Sequence, residues 1–147
     1  MTISPLTADL SVMPQVSEAD IAELARRGYK SIIGNRPEGE SPDQPRFTDL
    51  KAAALAHGLE AVHIPVVASA IGGEDINAFR EALAHLPKPI AAFCRTGTRA
   101  ALLWALANQA SLTVEERIVI AAQAGIDLEP FRARLEATPA AQSIAVD

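Results

Sequence analysis

The 147 residues include a single cysteine, Cys94. That excludes an intramolecular disulfide and any multi-cysteine metal cluster, and leaves the thiol as either a core residue or a reactive one. No stretch supplies the ~20 apolar residues that a membrane-spanning helix needs. The opening MTISPLTADL lacks the charged and apolar regions of a secretory signal, so the expected location is cytoplasmic, with no membrane partner. No run of Lys or Arg could track a phosphate backbone, and 18 acidic against 13 basic residues give a formal charge of −5. Nucleic acid is therefore not an expected partner. His57, His63 and His85 are scattered without ligand spacing, so no metal is expected, and no cofactor. Internal repeats, low-complexity tracts and internal linkers are also missing.

What is present suits one globular domain: 49% apolar and 21% charged residues in a chain of ordinary domain length. Residues 1–137 are expected to form it, with 138–147 as a loose C-terminal tail, since no periodicity continues there. Ser17 with an acidic residue three positions on, and Val16 placed to staple Ile21, predict a helix over 17–27 ended by Gly28. Tyr29–Ile33 reads as a strand, and the proline-rich stretch 37–45 as a loop whose acidic part, 38–43, is a solvated surface. A second helix over Phe47–His57 ends at Gly58, and Leu59–Ile64 is the next strand. A third helix over 74–86 carries the apolar stripe Ile76, Phe79, Leu83 and Leu86. The unbroken apolar run Ile90–Phe93 predicts a strand buried on both faces. After it come a tight loop at 94–99, a buried helix over Ala100–Ala107, a helix capped by Thr113 and Glu116, and a last helix over Leu128–Ala137. With Leu10–Met13 as a first strand, the alternation predicts an α/β fold: a mainly parallel sheet of about four to five strands flanked by helices. Open sheets of this kind bind ligands beyond the carboxyl ends of their strands, where Cys94 falls.

If Phe93 ends a strand and Ala100 lies in a helix, the amides from Arg95 onward converge on one point at a helix N-terminus. Cys94 would sit at that focus. The converging N–H donors and two guanidinium groups favour thiolate over thiol, and the thiolate is the nucleophile. Gly97 supplies a positive φ or a backbone without Cβ, and Thr96 and Thr98 can add hydroxyl donors. Arg99, in the first helical turn, can aim its fork over the loop, while Arg95 lies at the rim. A buried inert thiol is the plainer alternative for a lone cysteine, but the flanking arginines argue against an apolar site. Arg36 follows a strand and either reaches the mouth of the site or pairs with Glu38 or Glu40. His63 is most simply a strand residue with a satisfied side chain, the alternative being that its strand end brings it toward Cys94, and Trp104 belongs to the core.

The run Phe-Cys-Arg-Thr-Gly-Thr-Arg-Ala at 93–100 resembles the active-site loop of rhodanese-type sulfurtransferases, whereas His63-Ile64-Pro65-Val66 and the frame that follows resemble the dual-specificity and tyrosine phosphatases. Together with Pro14-Gln15 and the Asn35-Arg36-Pro37-Glu38-Gly39-Glu40 loop, the combination over about residues 8–110 is similar to the bacterial beta-lactamase-hydrolase-like, phosphatase-like domain family. That resemblance implies a phosphotyrosine-phosphatase-like fold and either sulfurtransferase or phosphatase-like chemistry. Two departures from the tyrosine phosphatases bear on the choice. Four residues rather than five separate Cys94 from Arg99, and Val67, Ala68 and Ser69 stand where those enzymes carry an aspartate general acid; Asp75 is the nearest acidic alternative, but its place in a helical first turn favours a capping role.

Sulfur transfer needs no acid to protonate an alkoxide. The expected function is thus a cysteine-dependent sulfurtransferase: Cys94 is the nucleophile and persulfide carrier, the amides from Arg95 to Arg99 stabilise it, Arg99 and Arg95 recruit the anionic donor, with Thr96, Gly97 and Thr98 lining the anion site, and the partners are a small anionic sulfur donor or persulfide and a thiol acceptor. A phosphomonoester hydrolase working through a phosphocysteine is the alternative. A non-catalytic anion-binding or redox-sensing module is the third reading. A homo-oligomer stays open.

Overall fold

Four short runs, Leu10–Met13 (β2), Ser31–Gly34 (β3), Glu60–His63 (β4) and Ile90–Phe93 (β5), lie side by side as parallel strands, and Ser4–Pro5 (β1) adds a short antiparallel edge. The order β1-β2-β5-β3-β4 is that of a computed structural model, which describes residues 1–137. The expected tail at 138–147 lies outside the described residues. Every residue of β5 is buried, as its apolar run predicts for the strand between β2 and β3.

Side-chain alternation sorts the core into two layers. Ile90 and Ala92 of β5 join Leu10, Val12 and Ile33 on one face, where they meet α3 (Gly73–His85), α4 (Thr98–Ala107) and α5 (Val114–Gln123). Ala91 and Phe93 join Met13, Ile32 and Ala61 on the other, under α1 (Glu18–Arg26) and α2 (Phe47–Ala56). All residues of α4 from Ala100 to Leu106 are buried, as its composition implies. Arg117 of α5, only 1% exposed, donates from Nη1 to the Ala105 carbonyl at 2.6 Å, joining the Asn108 N–H on that acceptor in the last turn of α4.

Local signals account for most boundaries. The Ser17 hydroxyl accepts from the Asp20 N–H and the Asp20 carboxylate accepts from the Ser17 N–H; Thr113 and Glu116 form the same reciprocal pair. Val16 and Ile21 are both buried in one cluster, as a staple requires. The strand expected at Tyr29–Ile33 begins later, at Ser31. The Tyr29 N–H is taken by the Leu24 carbonyl, so this residue closes α1 instead of entering the sheet. The last helix expected over 128–137 is present, opening as a 3₁₀ turn at Glu129–Phe131 and continuing as helical backbone over 132–137. Another 3₁₀ turn, Ala68–Ala70, and β1 were not expected. Among the described residues no helix is long and apolar enough to cross a membrane.

Register brings the strand ends to one level, with Gly34 opposite both Phe93 and His63, and Met13 opposite Phe93. Gly34 is there because Phe47 fills its side-chain space: a Cβ would lie 2.6 Å from the Phe47 ring and 3.1 Å from Phe93. That ring stacks on His63 with centroids 4.5 Å apart and planes 6° from parallel. Gly34→Ala is expected to destabilise the fold by about 1–3 kcal/mol through overpacking, read as a lower urea midpoint. An unchanged midpoint would mean that the Phe47 ring yields freely.

Candidate functional site

Cys94 leaves the carboxyl end of β5 and is held there from both sides. Its N–H donates to the Met13 carbonyl at 3.4 Å, and the Gln15 N–H donates to the Arg95 carbonyl at 3.4 Å, so the chain beyond β2 pins one edge of the loop. On the other edge the Asn35 N–H, just past β3, donates to the Phe93 carbonyl at 2.8 Å. The reversal into α4 passes through Gly97 at φ +96°, the left-handed region that favours glycine. A Cβ there would find room, its nearest neighbours being 3.5 Å away, so the backbone angle is the constraint. In this conformation the Gly97 N–H points at the Cys94 Sγ, 3.1 Å away. The sulfur therefore meets a backbone donor at a helix N-terminus, where unpaired N–H groups favour negative charge. Cys94 has no exposed surface, so it forms the floor of the loop, not its rim.

Arg99, in the first turn of α4, lies within electrostatic reach of that sulfur. Its Nη1 donates to Glu40 Oε2 at 2.7 Å and to the Val66 carbonyl at 3.1 Å, and its Nη2 donates to Glu40 Oε1 at 2.8 Å. Arg36, 6% exposed, donates from Nε to the same Glu40 carboxylate at 3.0 Å, from Nη1 to Gln15 Oε1 at 3.2 Å and from Nη2 to Ser41 Oγ at 3.3 Å. The Arg99 hydrogen bonds hold Glu40 well below the usual carboxylate range, at about 2, against the opposing effect of burial and with further help from Arg36. The Arg99 guanidinium is correspondingly pushed up, by Glu40 first and with a Coulombic contribution from Cys94. One carboxylate thus ties together the segments that follow β2, β3, β4 and β5.

Other expected participants fall elsewhere. The His63 Nε2–H donates to the Arg36 carbonyl at 3.0 Å and the ring stacks on Phe47, so its side chain holds the backbone of Arg36. Arg36 pairs with Glu40 and not with Glu38, whose carboxylate instead accepts the Phe47 N–H at the start of α2. The acidic loop is therefore not simply a solvated surface: two of its carboxylates satisfy buried or helix-end donors. Thr96 and Thr98 bond one another at 3.2 Å, and Arg95 is exposed. Asp75 accepts the Gly72 N–H at 2.9 Å and caps α3. The pairing of Arg36 with Glu40 is one the sequence offers, but the link from Glu40 to Arg99 and the roles of Gln15 and the Val66 carbonyl are not legible there. Among the described residues no three His, Cys, Asp or Glu side chains group so as to hold a metal ion.

Because the folded carboxylate titrates below the free value of about 4.3, its stabilising contribution is present above that pH and fades as pH falls toward about 2. Glu40→Gln is expected to lose about 1–3 kcal/mol at neutral pH and to show less loss of stability than the wild type between pH 4.5 and 2. Urea unfolding across that range is the measurement, and parallel curves for the two proteins would mean that the arginines do not hold Glu40 in solution.

The family model described as "Beta-lactamase hydrolase-like protein, phosphatase-like domain" matches residues 2–111. A beta-lactamase hydrolase-like protein of Xylella fastidiosa is 38% identical over 108 residues, which are 74% of this chain and 25% of that protein. This chain therefore spans about a quarter of the length of the curated relatives it matches. A crystal structure from Neisseria meningitidis, called a "putative phosphatase", superposes with a TM-score of 0.87 at 38% identity, covering 94% of this chain and 99% of that one. The kinase-associated phosphatase, at 18% identity, shares the fold with a TM-score of 0.68 over 92% of this chain and 95% of its own. The fold is that of the tyrosine-phosphatase-like proteins, and the chain belongs to the beta-lactamase hydrolase-like, phosphatase-like domain family.

Proposed function

We propose that this protein is a phosphatase that hydrolyses phosphomonoesters through a phosphocysteine on Cys94. The observation that carries the reading is the Gly97 N–H aimed at Cys94 Sγ from 3.1 Å, at the start of a ten-residue helix and beside the Arg99 guanidinium. The Gly97 N–H and the Arg99 guanidinium are donors already held beside the sulfur where charge builds as it attacks a phosphoryl group, whose oxygens compete with Glu40 for the Arg99 donors. Sγ would bond to phosphorus while the ester oxygen departs. Water would then attack phosphorus, the P–S bond would break and the thiolate would return. The 38% identity to the Neisseria protein favours this chemistry over the sulfur transfer expected from the sequence.

Sulfur transfer is kept as a second reading because the four-residue spacing from Cys94 to Arg99 and the side chains Val67, Ala68 and Ser69 after β4 still favour it. There Sγ would attack the outer sulfur of a donor such as thiosulfate, sulfite would leave, and an acceptor thiol would take the persulfide sulfur.

Turnover of 4-nitrophenyl phosphate is expected in the wild type and a loss of at least about 10³-fold in Cys94→Ser, with the thermal midpoint of the variant close to that of the wild type. Intact mass after mixing with substrate should show one added phosphoryl group. Addition of one sulfur atom from thiosulfate, without phosphatase turnover, would select the second reading. Neither addition would leave anion binding or thiol oxidation as the function of the loop.

A further inference from the structure

Within the arrangement around Cys94, protonation of a leaving group is the step without a provider. The segment after β4 borders the site, since Val66 gives its carbonyl to Arg99, yet residues 64–70 contain no acidic or basic side chain. Each nearby carboxylate is committed elsewhere. Glu40 takes three donors from Arg99 and Arg36 and stays ionised through the neutral range. Glu38 caps α2, Asp43 accepts from Ser41 Oγ, and Asp75 caps α3. His63 commits its Nε2 proton to the Arg36 carbonyl and its ring to Phe47. Guanidinium groups do not give up a proton in proteins. Among the described residues, then, each carboxylate and imidazole of the network holding Cys94 and Arg99 is already engaged by another group, and none is left as a free proton donor to a leaving oxygen.

Without such a donor the departing oxygen must carry its electron pair away as an anion. An alkoxide is comparable in basicity to hydroxide and so a poor leaving group; a phenolate, whose conjugate acid has a pKa of about 10, and a phosphate, about 6, are far better suited. Arg95 adds a complementary feature at the rim. It directly follows Cys94, its carbonyl is fixed by the Gln15 N–H, and its exposed guanidinium makes no hydrogen bond or ion pair among the described residues.

Resting on the phosphatase reading, we propose that the site serves phosphoryl donors whose leaving group departs as a stable unprotonated anion, namely phosphoric anhydrides and acyl or aryl phosphates, and that Arg95 pairs with a charged departing group. In the first step the Cys94 thiolate bonds to phosphorus, the P–O bond to the leaving group breaks and that oxygen keeps the electron pair. In the second, water bonds to phosphorus, the P–S bond returns its pair to sulfur, and both water protons end on the released dihydrogen phosphate. No proton is supplied by a side chain in either step. Alkyl phosphates such as phosphoserine are poor substrates because their alkoxide would have to leave unassisted.

The test measures kcat/KM of the full chain on aryl phosphates of graded leaving-group acidity, acetyl phosphate, pyrophosphate and an alkyl phosphate, with Cys94→Ser as the blank. The expected result is a steep fall in rate with leaving-group basicity, and an alkyl phosphate slower than 4-nitrophenyl phosphate by at least the 10²–10⁴-fold that a general acid would restore. Comparable rates for alkyl and aryl substrates would overturn the inference while leaving the phosphatase reading intact. If no substrate is turned over and no phosphocysteine forms, both fall. Arg95→Gln is expected to raise KM about tenfold or more for pyrophosphate but little for 4-nitrophenyl phosphate. An equal effect on both would assign Arg95 to the transferred group and remove its part in the proposal.

Discussion

A left-handed backbone at one residue, Gly97, sets the chemistry of this molecule. It allows the chain to pass from the central strand β5 into α4 within a few residues, and it turns one N–H back onto the sulfur just left behind. The sheet and α4 make that turn rigid. β5 is buried on both faces, and the helix that receives the chain is buried over seven consecutive residues, so the loop is anchored between two packed elements. The hydrogen bonds from Cys94 to Met13, from Gln15 to Arg95 and from Asn35 to Phe93 carry the clamp past the ends of the strands.

Around that turn the side-chain electrostatics run through Glu40. A carboxylate between two guanidinium groups aligns both, and each arginine is in turn fixed by a neutral acceptor: Arg99 by the Val66 carbonyl, and Arg36 by Gln15 and Ser41. Arg99 is thereby held beside the sulfur in one orientation. The proline-rich segment 37–45 achieves this order through its own polar side chains: Gln44 donates to the Pro37 carbonyl and accepts from the Glu40 N–H, while Ser41 donates to Asp43.

The sequence was most legible where interactions are short in range. Ser17 with Asp20, Thr113 with Glu116, and the apolar run at 90–93 each announce an element because the partners lie within three residues or because burial leaves a direct compositional trace. The cysteine loop was legible for the same reason: its arginines, threonines and glycine are contiguous. Glu40 was not, since its partner Arg99 is 59 residues away and only the alignment of strand ends brings them together. The edges of β3 were misplaced because Tyr29 looks like a strand residue while its N–H is needed to close a helix, and because Gly34 looks like a terminator while it pairs with two strands and leaves its side-chain volume to Phe47. Arg36 and His63 had the right neighbourhood but supporting roles, a distinction that residue type alone does not encode.

The zero exposure of Cys94 has a consequence for selectivity among reagents. Thiols that report oxidative stress are usually open to water, where peroxide can collide with them unhindered. A sulfur on the floor of its loop, beside a guanidinium already paired with Glu40, favours a reagent that can engage those donors over one that cannot. An anion can do so by competing for the same donors; neutral peroxide brings no such leverage. Concealment of this kind disfavours a sensing role and makes admission to the site, before any bond changes, a first filter on charge.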